Sequence, residues 1–226
     1  MINISPDALV RFLFQGIAFL FAISVHESAH AWMANRCGDP TARMLGRITL
    51  NPIRHIDPIG TILMPAIAMF YNVPLLGWAK PTPVDPRHFK NPVRDDILTT
   101  LAGPVSNLLI AFAAVMGLAI ISNTSQLGHD LVHSGITGSS SILVPITELL
   151  FVFLQLNVLL AAFNIIPIPP LDGSHVLRHF LPDKIRMIYD RLGMFALLLL
   201  FVLGPRILPF FMAPFVAFFQ AIIARI

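Results

Sequence analysis

The sequence predicts an all-α polytopic membrane protein, and three observations carry that prediction. Of 226 residues, 56% are hydrophobic and only 12% are charged, whereas a soluble domain carries about 25% charged residues. The apolar residues fall into runs close to the roughly 20 residues that a helix needs to cross hydrocarbon. The basic residues fall into a few short loops between those runs. No polar stretch is long enough for a second domain, so residues 1–226 are read as a single transmembrane domain. The lone cysteine, Cys37, leaves no internal disulfide. With most of its cations in loops, a net charge of +3 is an orientation signal. No nucleic-acid partner is expected. The N-terminus lacks a basic region and a small-residue cleavage site, so no cleavable signal peptide is expected.

Five spans are expected, at about 8–35, 97–121, 142–167, 187–203 and 207–225. The last contains Pro209 and Pro214 but stays apolar. The run 59–76 is apolar too, yet it is short and holds Pro65 and Pro74. The basic loops decide how to read it. Loop 36–58 holds Arg36, Arg43, Arg47 and Arg54, and loop 77–96 holds Lys80, Arg87, Lys90 and Arg94. Loop 168–191 holds Arg178, Lys184, Arg186 and Arg191, while loop 122–141 has no Lys or Arg. If 59–76 turns back without crossing, all twelve share one side with Arg225, and only Arg11 and Arg206 lie opposite. An excess of Lys and Arg marks the cytoplasmic face. The N-terminus is then outside and the C-terminus inside. Segment 59–84 is expected to be a membrane-associated re-entrant piece, irregular or in short β-strands. Backbone of that kind is tolerated at membrane depth only where protein or trapped water satisfies it.

Inside the first span lies His26-Glu27-Ser28-Ala29-His30. Two imidazoles and a carboxylate are costly in hydrocarbon, and ionisable groups there are functional candidates by default. On a helix, histidines four apart share a face and can grip one zinc ion, with the glutamate beside them as a base. The bland alternative is a helix whose polar residues pair with neighbouring spans. With only two glutamates and eight histidines in the chain, a chance HExxH is rare. A catalytic zinc takes three protein ligands and keeps one position open. The third is sought at the same depth. Asp172 follows the 142–167 span, after Asn164-Ile165-Ile166-Pro167-Ile168-Pro169-Pro170-Leu171. The prolines unwind that helix end, and Gly173 allows a sharp turn back toward the bundle. Taken alone, Asp172 reads as the cap of a following short helix. Beside HExxH and at matching depth, it reads as a ligand.

With these residues in view, the chain resembles the site-2 protease family of intramembrane zinc metallopeptidases, peptidase family M50. The motifs that carry the likeness are HESAH at 26–30, LNPIRHIDPIGT at 50–61, GWAKPTPV at 77–84, AGPVSN at 102–107 and NIIPIPPLDGSH at 164–175. The likeness implies one zinc ion per chain on His26, His30 and Asp172, with Glu27 as catalytic base. It also implies that Asn164 lines the site and holds substrate or an oxyanion. Family members often add a PDZ or CBS domain; this sequence has room for neither and resembles a compact form. The expected activity is hydrolysis of peptide bonds within or near transmembrane segments, in regulated intramembrane proteolysis. The expected partners are a transmembrane protein substrate and the lipid bilayer, with the active site toward the cytoplasmic side of the cell membrane.

A substrate helix must unwind before its peptide bonds can be reached, and an extended peptide can add to a sheet edge. GWAKPTPV is the candidate edge, against the alternative of an ordinary loop. Asn107 is read as packing more than chemistry, and His175 as equally a partner of Asp172 or a bystander. Cys37 and His55 are read as structural, and His129 and His133 fall on the wrong side for this zinc. Two other function classes compete: a membrane metal transporter using the same ligands, and a catalytically inactive membrane binder. Transporters place polar groups on several spans and often repeat internally, and neither feature is visible. Glu27 speaks against an inactive binder, because zinc binding alone does not need it.

Overall fold

The computed structural model describes residues 6–71, 77–134, 140–191 and 193–226. In chain order its helices are α1 Pro6–Cys37, α2 Thr41–Met44, α3 Met64–Tyr71, α4 Pro92–Thr124, α5 Gln126–His133, α6 Leu143–Ile165, α7 Asp172–Arg178, α8 Asp183–Arg191 and α9 Gly193–Ile223. Among the described residues there is no strand. Among the described residues, three helices are long and apolar enough to cross a bilayer: α1 over Leu9–Cys37, α4 and α6. They occupy the spans expected at 8–35, 97–121 and 142–167, and the chain is a multi-pass membrane protein.

Small residues let these three helices approach. Ala18, Ala22, Ala31 and Ala34 of α1, Ala111 of α4 and Ala161 of α6 have no exposed surface. Lipid tails are as apolar as leucine, so helices in a bilayer associate through such close packing and through polar contacts. At the end of the bundle away from Asp172, Val115, Leu118, Leu154 and Val158 form a core with Phe219 of α9. α4 starts with Pro92, where a missing N–H is no loss.

After α2, Asp57 accepts from the N–H groups of Ile59 and Gly60 and opens a wide π turn, Pro58–Leu63, that runs into α3. α3 has eight residues and is about 12 Å long at 1.5 Å per residue, too short to cross. Of the expected re-entrant piece 59–84, residues 59–71 are therefore helical rather than irregular or β, and 72–76 lie outside the described residues. Residues 77–85 follow without regular structure.

The spans expected at 187–203 and 207–225 are not separate. Residues 187–191 belong to α8, and α9 runs unbroken through Pro209 and Pro214. Prolines are tolerated inside membrane helices because neighbours and local adjustments satisfy the freed carbonyls. Leu208 and Phe211 pack beside Ile166 and Leu171, at the Asp172 end of the bundle. Phe219, Ile222 and Ile226 pack beside Ile121 and Val132, at the other end. There Ser122 Oγ donates to the Ile226 carbonyl at 3.0 Å. This stretch crosses the bundle once, which puts Ile226 at the opposite end from the one expected. Arg206 moves to the Asp172 end and Arg225 away from it.

Candidate metal centre

α1 brings His26 and His30 to one face, with their Nε2 atoms 3.0 Å apart. α7 brings Asp172 against them. Its Oδ2 is 3.2 Å from His26 Nε2 and 3.4 Å from His30 Nε2. Atoms bound about 2.0–2.1 Å from a tetrahedral zinc stand about 3.3–3.4 Å from one another. The observed spacing is close to that of three corners of such a tetrahedron.

Each histidine is oriented from behind. His26 Nδ1 donates to Asn107 Oδ1 at 2.6 Å, and His30 Nδ1 donates to the Thr99 carbonyl at 2.7 Å. A carbonyl only accepts, so the proton sits on Nδ1 and the Nε2 lone pair is left for Asp172's side. Behind His26, Asn107 Nδ2 donates to Asn157 Oδ1 at 2.8 Å, and Asn157 Nδ2 donates to the Phe153 carbonyl at 2.8 Å. One directed chain thus links α1, α4 and α6, and both asparagines are fully buried. Asp172 Oδ2 is itself buried without a hydrogen-bond partner. Three acceptor atoms converge, an arrangement that repels itself unless a cation sits among them. On that ground the residues fit a zinc ion.

The local sequence explains the fit. A Cβ at residue 103 would overlap His30 Nε2 and stand 2.6 Å from His26 Cε1, so only glycine lets α4 pass behind the pair. Asp172 lies in the first turn of α7, where negative charge suits the helix N-terminus. Just past the far end of α7, His179 meets Asp96 of α4 at 2.7 Å. Tyr189 of α8 donates its hydroxyl to the Pro167 carbonyl at 3.0 Å, and burial pushes this phenol up, which keeps it a donor.

Glu27 Oε2 accepts from the Thr82 N–H at 2.8 Å and from Thr82 Oγ1 at 2.7 Å. Asn164 Nδ2 donates to the Leu160 carbonyl at 3.0 Å, one turn back in α6. The structure therefore brings His26, His30 and Asp172 together, sets Glu27 next to His26 on α1, and bonds Asn164 within its own helix. His175 is exposed, and Cys37 packs with Ala34 and Phe89. Asn107 is a direct partner of His26 rather than mainly a packing residue. Sequence reasoning missed Thr99, Asn157, Thr82 and the Asp96–His179 pair. Asn157 had a signal, an amide in an apolar span. Thr99 had none, because it acts through a carbonyl that every residue carries.

The family model described as peptidase family M50 matches residues 14–202. YwhC of Bacillus subtilis, a protein named as a zinc metalloprotease, is 38% identical over 181 residues, which cover 80% of this chain and 74% of that protein. Rip2 of Mycobacterium tuberculosis H37Rv, similarly named, is 29% identical over 197 residues, covering 82% of this chain and 64% of Rip2. Its Mycolicibacterium smegmatis counterpart is 28% identical over 169 residues, covering 74% and 58%. The chain thus spans less than two thirds of these mycobacterial relatives. No solved structure gives a significant match. With the matched stretch running from α1 into α9 and so enclosing the His–His–Asp cluster, the chain belongs to peptidase family M50, the site-2 protease family, and is a membrane metalloprotease.

Proposed function

We propose that the protein is a zinc endopeptidase that cuts other membrane proteins within or near their transmembrane segments, as a step in regulated intramembrane proteolysis. The observation that supports this best is the meeting of His26, His30 and Asp172 against a membrane-spanning bundle, with Glu27 on the same helix. One zinc ion per chain would be held by these three side chains. When bound, zinc polarises a peptide carbonyl and acidifies water. Glu27 accepts the proton of the attacking water and returns it to the leaving nitrogen. Asn164 keeps a second amide hydrogen beyond the one it gives Leu160, and that hydrogen is the donor for the developing oxyanion.

An unwound substrate is offered a short edge. Trp78 N–H donates to the Gly60 carbonyl at 3.3 Å, Lys80 N–H to the His55 carbonyl at 2.9 Å, and Thr82 N–H to Glu27. The N–H groups of the alternate residues Gly77 and Ala79 make no hydrogen bond among the described residues, and Pro81 and Pro83 have no N–H to give. Substrate pairing is thereby confined to Gly77 and Ala79. The site faces the cytoplasm in this reading. The twelve cations of loops 36–58, 77–96 and 168–191 lie at its end of the bundle, now with Arg206.

The test is cleavage of a single-span substrate by purified protein in detergent, comparing wild type with Glu27→Gln. The variant is expected to keep one zinc per chain and lose cleavage. Equal cleavage by both overturns the role of Glu27. Zinc flux into liposomes with no proteolysis replaces the reading with a transporter.

A further inference from the structure

GWAKPTPV is the motif whose chemistry is least explained by substrate docking, because most of its polar backbone atoms are already engaged. Trp78 O accepts from Thr61 Oγ1 at 2.8 Å. The buried Arg47 guanidinium donates to the Arg54 carbonyl at 2.6 Å, to the Pro81 carbonyl at 3.1 Å and to the Lys80 carbonyl. Thr82 lies between two prolines. Pro81 has its own φ fixed near −65°, and Pro83 forces the residue before it into extended backbone. The backbone at residue 82 is therefore held from both sides.

The N–H groups of Trp78, Lys80 and Thr82 point the same way at the two-residue period of an extended chain. The first two find backbone carbonyls, of Gly60 and His55. The third finds the Glu27 carboxylate, which stands where the next carbonyl of a ladder would be. Thr82 Oγ1 adds a second bond to the same oxygen, and it lies 2.9 Å from the Glu27 carbonyl as well. A hydroxyl has one proton, and the charged oxygen is its stronger acceptor. Oε2 is thus pinned by two charge-assisted bonds. Oε1 has no hydrogen-bond partner among the described residues.

We infer that Thr82 is a positioning residue for catalysis: it fixes the Glu27 carboxylate through Oε2, leaves Oε1 as the oxygen that handles the proton, and is itself held in place by Pro81, Pro83 and Arg47. The inference rests on the proposed protease reading. It assigns the KPTP part of the motif to the enzyme's own base rather than to the substrate.

The experiment compares Thr82→Val, which keeps shape and N–H but loses the hydroxyl, with Thr82→Ser, which restores it. Zinc-loaded protein is assayed on a single-span substrate for kcat and KM separately, with zinc content measured on the same samples. Thr82→Val is expected to lower kcat by about tenfold or more, as a loosened catalytic group does, with KM and zinc content unchanged. Thr82→Ser is expected to recover most of kcat. A Thr82→Val kcat within twofold of wild type overturns the inference, and so does a loss that appears only in KM or in zinc content. A second measurement needs no activity. In chelator-treated protein, the thermal shifts of Thr82→Val, Glu27→Leu and the double variant are compared. The bond to the carboxylate predicts that Thr82→Val costs more stability while Glu27 is present than once Glu27 has been replaced by leucine, where the hydroxyl keeps only the residue-27 carbonyl. Additive shifts overturn the contact. Should the wild type cleave no substrate while the cycle shows coupling, the contact stands, and both the protease reading and the catalytic role of Thr82 fall.

Discussion

Replacing Gly103 by alanine tests the metal site without touching a ligand. The added Cβ overlaps His30 Nε2 and stands 2.6 Å from both His26 Cε1 and His30 Cε1. Carbon atoms sit comfortably at about 3.5–4.0 Å, so at least one imidazole must move by about 1 Å. Neither ring is free to move, since Asn107 holds one and the Thr99 carbonyl holds the other. A neighbour that merely orients a ligand is worth about 10–100-fold in metal affinity. Moving the ligand itself should reach at least the top of that range, about 2.7 kcal/mol at 1.36 kcal/mol per tenfold. The metal-free fold should suffer less. Overpacking costs about 1–3 kcal/mol, while relieving a helical glycine returns about 1 kcal/mol. Gly103→Ala should therefore leave a folded protein whose melting temperature no longer rises with zinc. The assay is thermal unfolding in detergent with and without buffered zinc, beside a chelator competition for affinity. Zinc affinity within threefold of wild type would refute the close-approach argument.

Two further outcomes are expected. Asn107→Leu removes the acceptor of His26 Nδ1 and leaves Asn157 Oδ1 without its donor; zinc affinity should fall by about 10–100-fold, measured by competition. Asp39 reports on pH at the end of α1. Burial acts to raise its carboxyl, but bonds from the Thr41 hydroxyl and from the N–H groups of Asp85 and Thr41 outweigh that and hold it below the usual carboxylate range. A lowered folded value means stability that is present above the unfolded value of about 3.9 and is lost as pH falls through the folded one. The gap in melting temperature between wild type and Asp39→Asn should be constant at neutral pH and shrink below about pH 4; a gap that widens in acid refutes the assignment.

The three long helices were legible because apolar length alone defines a span, and HExxH was legible because its four-residue spacing is already the geometry of one helix face. Asp172 was legible through the prolines and glycine around it, which announce a chain turning back on itself. α9 was read as two spans parted at Gly204-Pro205-Arg206, whereas one helix, Gly193–Ile223, runs through that point, as prolines are tolerated in membrane helices. The charge count did not expose the error, because Arg206 and Arg225 simply exchanged ends. Thr82 was hidden for another reason. Its partner is 55 residues away, and nothing in a local pattern says which carboxylate an N–H will meet. Asn107 sat in a motif already noted, but the small residues beside it put packing ahead of chemistry.

The asparagine chain has a consequence for how the molecule is made. His26 of α1, Asn107 of α4 and Asn157 of α6 are polar groups at membrane depth, and the bonds that link them run from helix to helix. The ribosome delivers them in that order, so His26 waits for Asn107, and Asn107 waits for Asn157. A nascent product that stops before α6 leaves the Asn107 amide without the Asn157 oxygen it meets in the finished bundle, a polar group that hydrocarbon tolerates poorly.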